Sequence, residues 1–297
     1  MPYGYEKHRL SKGLSPVTVE SEVSTINHFL AFVDFLQKKS VEVHDILPGD
    51  VESYILQERE NGLKDSTLNR KIRYIREFFN FLWDIDKIPV DFMPKFKLKE
   101  KLTKYTRADI TIDYEFLLSK KNHILTSDEF LLYSKMLYIF VLNGVRIKDI
   151  LHIRLEWILD KGDAIEIHIP KDNGYNQIVI AQGEEVPVIL AGIERSVFRG
   201  SSYLLTSKKN DKYIPLQLGS LKDYKQQIAD VIGYPFRSED IRFSFVHYLH
   251  HKEKKSVDEI QEILGISIER AGVLLKESLE RVKILDYNER AISKTKH

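Results

Sequence analysis

The side chains best suited to chemistry in the first third of the chain lie on one face of a predicted helix. Asn69, Arg73, Arg76 and Asn80 recur at spacings of three and four residues, opposite an apolar stripe. Arginine and asparagine side chains bind phosphates and read the edges of guanine and adenine in the DNA grooves. With Arg70 beside them, they are candidates for contacts with double-stranded DNA. Charged, solvated faces are also common on surface helices, so an ordinary exposed face is the alternative interpretation.

Basic charge is concentrated in two neighbouring segments. Residues 64–76 carry a net charge of +4, and residues 87–107 carry +5. The whole chain has 45 Lys and Arg against 44 Asp and Glu, a net charge of +1, so the remainder carries −8. The nearly neutral total therefore conceals two stretches of the kind that bind nucleic acids. Lys97, Lys99 and Lys101 are further candidates for DNA contacts, although lysines also keep linkers soluble.

Other chemistries have little support in the sequence. The absence of cysteine excludes disulfides, thiolate metal sites and cysteine nucleophiles. His247, His250 and His251 form a cluster, but no Glu or Cys joins them at a recognised metal-ligand spacing, so no metal is expected. Phosphate-binding glycine loops, dinucleotide fingerprints and hydrolase motifs do not occur, and no cofactor is predicted.

A membrane or secreted location is not expected either. The longest purely apolar run, Met136–Leu142, is too short to cross a bilayer. The N-terminal residues have no apolar core of the kind found in secretory signals. We therefore expect a cytoplasmic protein without a membrane partner.

The elements that must position the candidate residues begin with a helical domain. Amphipathic patterns predict helices over residues 15–38, over residues 50–60 and from Ser66 through Leu82. Residues 87–107 contain two prolines and a run of spaced lysines, which is typical of an extended linker. We predict a domain over residues 1–86, followed by this linker.

The remaining residues, 108–297, form the second predicted domain. Helical patterns begin at residues 127–153, and two strand-like runs at 164–169 and 177–180 flank the turn-forming residues 171–174. Further helices are predicted over residues 219–232, 239–253, 256–264 and 268–283. The fold class expected for the chain is mainly α with a small antiparallel β-sheet.

Three motifs in this second domain carry a resemblance to a known family. The segment Leu142–Ile153, which contains Arg146, resembles the first-arginine motif of the tyrosine recombinase (phage integrase) family. Lys171 matches the position of that family's β-hairpin lysine, and Arg242 lies in a segment that resembles its second-arginine box. Residues 65–82 are also similar to the family's helical core-binding domain. The likeness extends over roughly residues 15–283.

The resemblance implies a two-domain fold that clamps duplex DNA. The first domain would be a SAM-like core-binding domain and the second a catalytic-like domain, in which Arg146, Lys171 and Arg242 hold a phosphate. Each of the three has a plainer explanation as well. Arg146 could simply pair with Asp149 one helical turn later, and the other two could be ordinary surface cations.

Four positions depart from the family pattern. Glu239 and Phe243 stand where the second-arginine box normally has histidines, and Ile266 stands where a histidine or tryptophan is expected. The position of the nucleophilic tyrosine falls at Leu275, and a hydrocarbon side chain cannot attack a phosphate. The next tyrosine, Tyr287, lies 12 residues further along the chain. The departures predict a recombinase fold that no longer cleaves DNA, and therefore a protein that is not an enzyme.

The leading hypothesis is a sequence-specific regulator of transcription that binds double-stranded DNA. In its degraded site the chain resembles the recombinase-like master repressors of SPbeta-type temperate phages. That resemblance implies repression of phage genes under the control of phage regulatory proteins. The alternatives are an active recombinase that uses Tyr287 and an accessory architectural DNA-binding protein. The apolar residues of Leu279–Arg290 are expected to dock on their own core or on a neighbouring copy, which would give a homo-oligomer through the C-terminal helices.

Overall fold

The computed structural model describes residues 2–102, 112–171 and 174–294, with Pro2 and residues 284–294 described by their backbone alone. The chain divides into two compact units, Met1–Arg107 and Ala108–His297. Helices dominate both units, and every strand pairing is antiparallel. The predicted fold class is therefore confirmed.

The first unit is a helical bundle. Its helices are α1 (Tyr5–Ser11), α2 (Pro16–Gln37), α3 (Pro48–Glu60) and α4 (Asp65–Asp84). The side chain of Ser15 accepts a hydrogen bond from the amide of Thr18 at 3.3 Å, and Pro16 is the first helical residue of α2, so this helix begins as the sequence predicts.

The apolar stripes predicted for α2 and α4 form the core of this unit. On α4, the members of the predicted stripe are all buried: Leu68, Ile72, Ile75, Phe79 and Leu82. The short helix α1 was not predicted. It is attached by fully buried Tyr5, whose hydroxyl donates to Glu22 Oε2 at 3.1 Å, and by Arg9, which binds the carboxylates of Glu22 and Glu77.

The structure differs from the extended-linker interpretation of residues 87–107 in the part that it describes. Ile88 and Met93 are buried in the first core, and the ring of Phe92 packs at 4.8 Å from that of Phe79. Apolar side chains as far as Leu102 continue this packing, because burying them against the bundle removes apolar surface from water. Residues 87–102 are thus an extension of the first unit. Residues 103–107 lie outside the described residues.

The second unit begins with three helices. These are α5 (Tyr114–Thr126), α6 (Leu132–Leu142) and α7 (Ile147–Ile150), so the single helical run expected over residues 127–153 is divided. The division falls at Gly144, whose φ of +68° ends α6. Helix α6 is buried almost throughout and is the central element of this core.

A three-stranded sheet follows, in the order β1 (Ile158–Asp160), β2 (Ala164–Pro170) and β3 (Asn176–Gln182). In the β2–β3 hairpin, Ile167 lies opposite Val179 and both are buried, because alternate side chains of the two strands face the core. The predicted strands are confirmed, whereas β1 was not predicted. Two of the predicted turn residues, 172 and 173, lie outside the described residues.

The remaining elements surround α6 and the sheet. They are α8 (Glu185–Phe198), the hairpin of β4 (Thr206–Lys209) and β5 (Lys212–Pro215), α9 (Lys222–Ile232), α10 (Ser238–His251), α11 (Val257–Leu264) and α12 (Ile268–Lys294). The sequence patterns predicted the ends of α9, α10 and α11 and the start of α12 to within a few residues, whereas α12 extends beyond its predicted end at residue 283. They did not predict α5, α8 or the second hairpin. Among the described residues no helix is long and apolar enough to cross a membrane.

Candidate anion-binding site

Arg146 is positioned by the break between α6 and α7. The amide of Val145 donates to the carbonyl of Phe140 at 3.0 Å, which closes the end of α6 and places Arg146 at the start of α7. A Cβ atom on Gly144 would lie only 2.7 Å from Leu264 Cδ2 and 2.9 Å from Phe245 Cδ1. The glycine therefore allows α10 and α11 to approach the loop that carries Arg146.

Lys171 follows β2 directly, and its side chain points inward. Only 3% of the side chain is exposed, and its Nζ atom lies 2.7 Å from Asp149 Oδ2. The amide of Lys171 donates to the carbonyl of Tyr175 at 2.9 Å, which fixes the backbone at the end of the hairpin. The plainer expectation of an exposed turn lysine is therefore wrong for this residue.

The β2–β3 hairpin is fastened to the neighbouring helices at two points. Buried Gln177 donates through Nε2 to the carbonyl of Asn143 at 2.9 Å, at the end of α6. Gly265, which ends α11 at a φ of +58°, lies directly against the hairpin backbone. A Cβ atom there would be 2.7 Å from the amide nitrogen of Gln177 and 2.8 Å from the carbonyl of Asn176. These contacts fix the position of Lys171 relative to the end of α6 and to α11.

Asp149 is shared by two cations. Arg146 donates to it through Nε at 2.9 Å and Nη2 at 3.3 Å, and Lys171 binds the same carboxylate. Burial would raise the pKa of Asp149, but the hydrogen bonds from Lys171 and Arg146 outweigh it and hold the pKa below its ordinary value. The expected pairing of Arg146 with Asp149 is thus present, and the same carboxylate binds Lys171 as well.

Arg242 adds a third cation to this group from α10. It is largely buried, and its Nε atom has no hydrogen-bond partner among the described residues. Burial, followed by the positive charges of Arg146 and Arg270, lowers the pKa of Arg242 to about 10. The guanidinium is still charged at neutral pH, and a buried N–H donor without an acceptor is costly.

The balance of charge favours an anion at this site. Lys171 also has a lowered pKa, because burial and the repulsion from Arg146 and Arg242 outweigh the attraction of Asp149. Asp149 and exposed Glu239 face these three cations, and Arg270 adds a fourth positive charge near Arg242, so positive charge remains in excess. A phosphate oxygen could accept from Arg242 and compensate the excess positive charge. We call Arg146, Lys171 and Arg242 the cation cluster.

Three of the four positions that depart from the family pattern carry hydrocarbon side chains. Glu239 is exposed and lies one helical turn before Arg242 on α10. Phe243, Ile266 and Leu275 are all buried in the core of the second unit. None of these three side chains can donate, accept or transfer a proton.

Phe243 has a distinct structural role that sequence reasoning missed. The guanidinium of Arg281, on α12, lies 3.8 Å from the centre of its ring and donates to Asp240 Oδ1 at 3.1 Å. Both polar partners are well shielded, since 19% of the Arg281 side chain and 5% of that of Asp240 are exposed. We call the contacts of Arg281 with Phe243 and Asp240 the Arg281 clamp. They fasten α12 to α10 within one chain. Residues of Leu279–Arg290 beyond Lys283 have side chains outside the described residues.

The predicted DNA-contacting residues of the first unit lie on the solvent face of α4: Asn69, Arg70, Arg73, Arg76 and Asn80. All five are exposed, and the ion pairs found among the described residues involve none of the three arginines. Lys71 on the same helix differs, because it is bound by Glu58 and by the hydroxyl of Tyr54. Opposite the core, α4 therefore presents an uncompensated basic face.

The candidate lysines after α4 are also exposed. Lys97 and Lys101 face solvent, and Lys99 lies 3.3 Å from Glu52 Oε2 with 87% of its side chain exposed. An ion pair as exposed as this one contributes little to stability and exchanges readily with a phosphate. All three remain predicted DNA contacts.

The histidines of the cluster contact each other and the backbone. The rings of His247 and His251 stack at 5.3 Å, and His250 Nδ1 lies 3.1 Å from the carbonyl of Lys255. Within the described ranges no three histidine or acidic side chains converge as metal ligands.

Comparison with known proteins defines the class of fold. Residues 5–84 match the family model described as "Phage integrase, N-terminal SAM-like domain". The first unit is therefore a SAM-like domain of the type found in phage integrases.

Solved structures match nearly the whole chain. A lambda integrase dimer bound to a COC′ core site is 14% identical with a TM-score of 0.66, covering 91% of this chain and 92% of that chain. XerH recombinase bound to a palindromic difH substrate is 12% identical with a TM-score of 0.62, covering 93% and 82%. The Tn1549 transposon integrase with circular intermediate DNA is 16% identical with a TM-score of 0.57, covering 82% of each chain. The chain has the tyrosine recombinase fold.

Proposed function

We propose that this protein is a sequence-specific regulator that binds double-stranded DNA and does not cleave it. The observation that carries the proposal is the combination of the cation cluster with buried Leu275, which stands at the position that the sequence resemblance assigns to the nucleophile. The cluster supplies affinity for a phosphate, while the hydrocarbon side chain supplies no attacking oxygen. The genes regulated would be those of a temperate phage or mobile element, and binding is expected to repress their transcription.

Two surfaces would contact DNA in this proposal. The cation cluster would hold one backbone phosphate, and the exposed arginines and asparagines of α4 would contact the groove and neighbouring phosphates. Lys97, Lys99 and Lys101 would add further backbone contacts. The solved structures support binding to DNA, because lambda integrase, XerH and the Tn1549 integrase were each captured on a DNA substrate. Assembly through the C-terminal helices and control by phage proteins belong to the same proposal.

The geometry of α12 argues against Tyr287 as a replacement nucleophile in the same chain. Leu275 and Tyr287 lie 12 residues apart on one helix, which separates them by about 18 Å at 1.5 Å per residue. The Arg281 clamp holds the helix to α10 between these two positions. Tyr287 could reach a cation cluster only by movement of α12 or from another copy.

The proposal predicts no covalent intermediate. Sites recovered by chromatin immunoprecipitation would be placed in a duplex with a nick that traps cleaved product, and incubated with the wild-type protein and with Tyr287→Phe. We expect both to bind without a denaturation-resistant protein–DNA adduct. An adduct formed by the wild type and lost in Tyr287→Phe would establish an active recombinase. Binding sites located at promoters would favour a regulator, whereas a single attachment-like site would favour an integrase.

Arg242→Met is expected to change affinity and stability in opposite directions. Loss of a charge-assisted contact with a phosphate should weaken DNA binding by about 10- to 100-fold. Removing a buried donor without an acceptor should raise the free energy of unfolding by about 1 kcal/mol. Filter binding and urea titration measure the two effects. Arg237→Met is the matched control on an exposed side chain, and equal binding by both variants would reject the role of Arg242.

Arg73→Glu is expected to weaken DNA binding by about tenfold or more, with a lower salt dependence, because it places a carboxylate on the basic face of α4. Lys39→Glu reverses an equally exposed charge on the same unit, beyond the end of α2, and should have a much smaller effect. Titrations of a labelled duplex at several salt concentrations distinguish them. Unchanged binding by Arg73→Glu would remove α4 from the DNA interface.

A further inference from the structure

A second basic surface lies on the second unit, apart from the cation cluster. It combines the end of α8 with the β4–β5 hairpin, and we call it the hairpin patch. Its members are Arg195, Phe198, Arg199, Lys208, Lys209 and Lys212. It shares no residue with the cation cluster or with the motifs that resemble the recombinase family.

The patch is built on a fixed support. Arg199 Nη1 donates to the hydroxyl of Tyr133 at 3.1 Å and to Thr206 Oγ1 at 3.0 Å, and its guanidinium lies 5.0 Å from the ring centre of Tyr213. Arg195 lies 5.0 Å above the ring of Tyr133. These contacts join α8 to both strands of the hairpin, so the basic residues are held on one rigid platform.

Like charges face each other at the tip of this hairpin. Lys209 and Lys212 are directly opposed across the two strands, an arrangement that destabilises an isolated hairpin. The turn between them places Asn210 and Asp211 at φ of +47° and +58°. Asp211 binds Lys208 at 2.8 Å, but 93% of its side chain is exposed, so this carboxylate offsets little of the positive charge. An anionic partner would relieve the repulsion.

The apolar part of the patch is unusually open. Phe198 is 92% exposed, and its neighbour Val197 is 63% exposed. Phe198 immediately precedes Arg199, which reaches both strands of the hairpin. An exposed aromatic ring and cations on adjoining elements form a combination that contacts nucleic acids, where the ring packs on sugars or bases and the cations bind phosphates.

Lysine is the main cation of the hairpin, and this indicates the kind of partner. A lysine ammonium is a compact point charge that contacts backbone phosphates without a defined approach, whereas recognition of a carboxylate usually exploits the arginine fork. We propose that the hairpin patch is a second contact for the phosphodiester backbone of duplex DNA, with Phe198 packed on the groove edge. This inference rests on the DNA binding proposed above and extends the footprint of the second unit beyond the cation cluster.

The test measures the salt dependence of binding to a labelled random-sequence duplex of about 40 base pairs, a length chosen to exceed the footprint of one chain. The slope of log K against log salt is negative. In the triple variant Lys208→Ala, Lys209→Ala and Lys212→Ala its magnitude should decrease by about 2 to 3, since each phosphate contact contributes about 0.9. Phe198→Ser should weaken binding several-fold without changing the slope, because it removes an apolar contact and no charge.

The matched control removes three lysines elsewhere in the same unit, by Lys252→Ala, Lys254→Ala and Lys255→Ala. Two of these already bind carboxylates, Lys252 with Glu115 and Lys255 with Glu259, both at 2.9 Å. Their loss should leave the slope unchanged. Equal slopes for the hairpin variant and the wild type would overturn the proposal, as would equal decreases in both triple variants. If the wild type bound no duplex at all, the proposed function itself would fail, and this inference with it.

Discussion

Asp149→Asn is expected to destabilise the second unit by about 3–5 kcal/mol, the usual cost of removing one partner from a buried ion pair. The substitution leaves the ammonium of Lys171, whose side chain is 3% exposed, without its carboxylate and close to two guanidinium groups. Asn can accept a hydrogen bond but cannot balance this charge. Urea unfolding, followed by a probe of the second unit, measures the loss.

A double variant separates the ion pair from general disruption. Removing both charges, with Asp149→Asn and Lys171→Met together, should recover most of the lost stability, because no uncompensated buried cation remains at 171. Asp211→Asn is the control for an exposed aspartate, and it should change stability by less than about 0.5 kcal/mol. A double variant as unstable as Asp149→Asn would show that the charge balance is not what Asp149 provides.

The loss of stability caused by Asp149→Asn should depend on pH. The pKa of Asp149 is lower in the folded protein than its ordinary value, despite burial, because Lys171 and Arg146 stabilise the carboxylate. The ionised carboxylate of Asp149 therefore contributes its full stabilisation at pH values above its ordinary pKa. This stabilisation is lost as the pH falls through the lower pKa of the folded protein. The difference between the wild type and Asp149→Asn should shrink on acidification over this range. A constant difference at all pH values would contradict the assignment.

Gly265→Ala is expected to cost about 2–4 kcal/mol, from the strain of a left-handed conformation and from contact with the hairpin backbone. The new methyl group would lie 2.7 Å from the amide nitrogen of Gln177, so α11 or the hairpin has to move. Because the hairpin carries Lys171, we also expect weaker DNA binding. Chemical unfolding and filter binding measure the two consequences.

Two other glycines provide controls with different outcomes. Gly233 also has a positive φ, +74°, but a Cβ atom there would meet nothing within 4 Å, so Gly233→Ala isolates the backbone strain of about 1 kcal/mol. Gly272 lies within α12 in open space, and Gly272→Ala should stabilise the helix by about 0.5–1 kcal/mol. If Gly265→Ala cost no more than Gly233→Ala, close packing of α11 on the hairpin would be rejected.

Periodicity predicted the long amphipathic elements well and the short or fully buried ones poorly. On α4 the apolar residues repeat every three or four positions, and the structure buries the same residues. Helix α6 is buried on nearly all sides, so periodicity alone did not indicate that it ends at Leu142. The β4–β5 hairpin carries lysines at its tip and too few alternating apolar residues to be recognised from sequence.

The candidate site was only partly predictable for a related reason. Arg146, Lys171 and Arg242 could be chosen by resemblance because each lies in a recognisable local motif. The inward orientation of Lys171, the role of Gln177 and the clamp formed by Arg281 depend on contacts between residues far apart in the chain. No local pattern encodes which of many arginines meets a particular ring.

The Arg281 clamp couples positions 243 and 281, so a substitution at one of them affects the contacts of the other. An imidazole introduced at position 243 would remove the phenyl ring beneath Arg281, and it would place a titratable group next to a guanidinium held by Asp240. Attachment of α12 would weaken in the same step that introduced the histidine. A histidine at position 243 is therefore compatible with a firmly attached C-terminal helix only if position 281 changes as well.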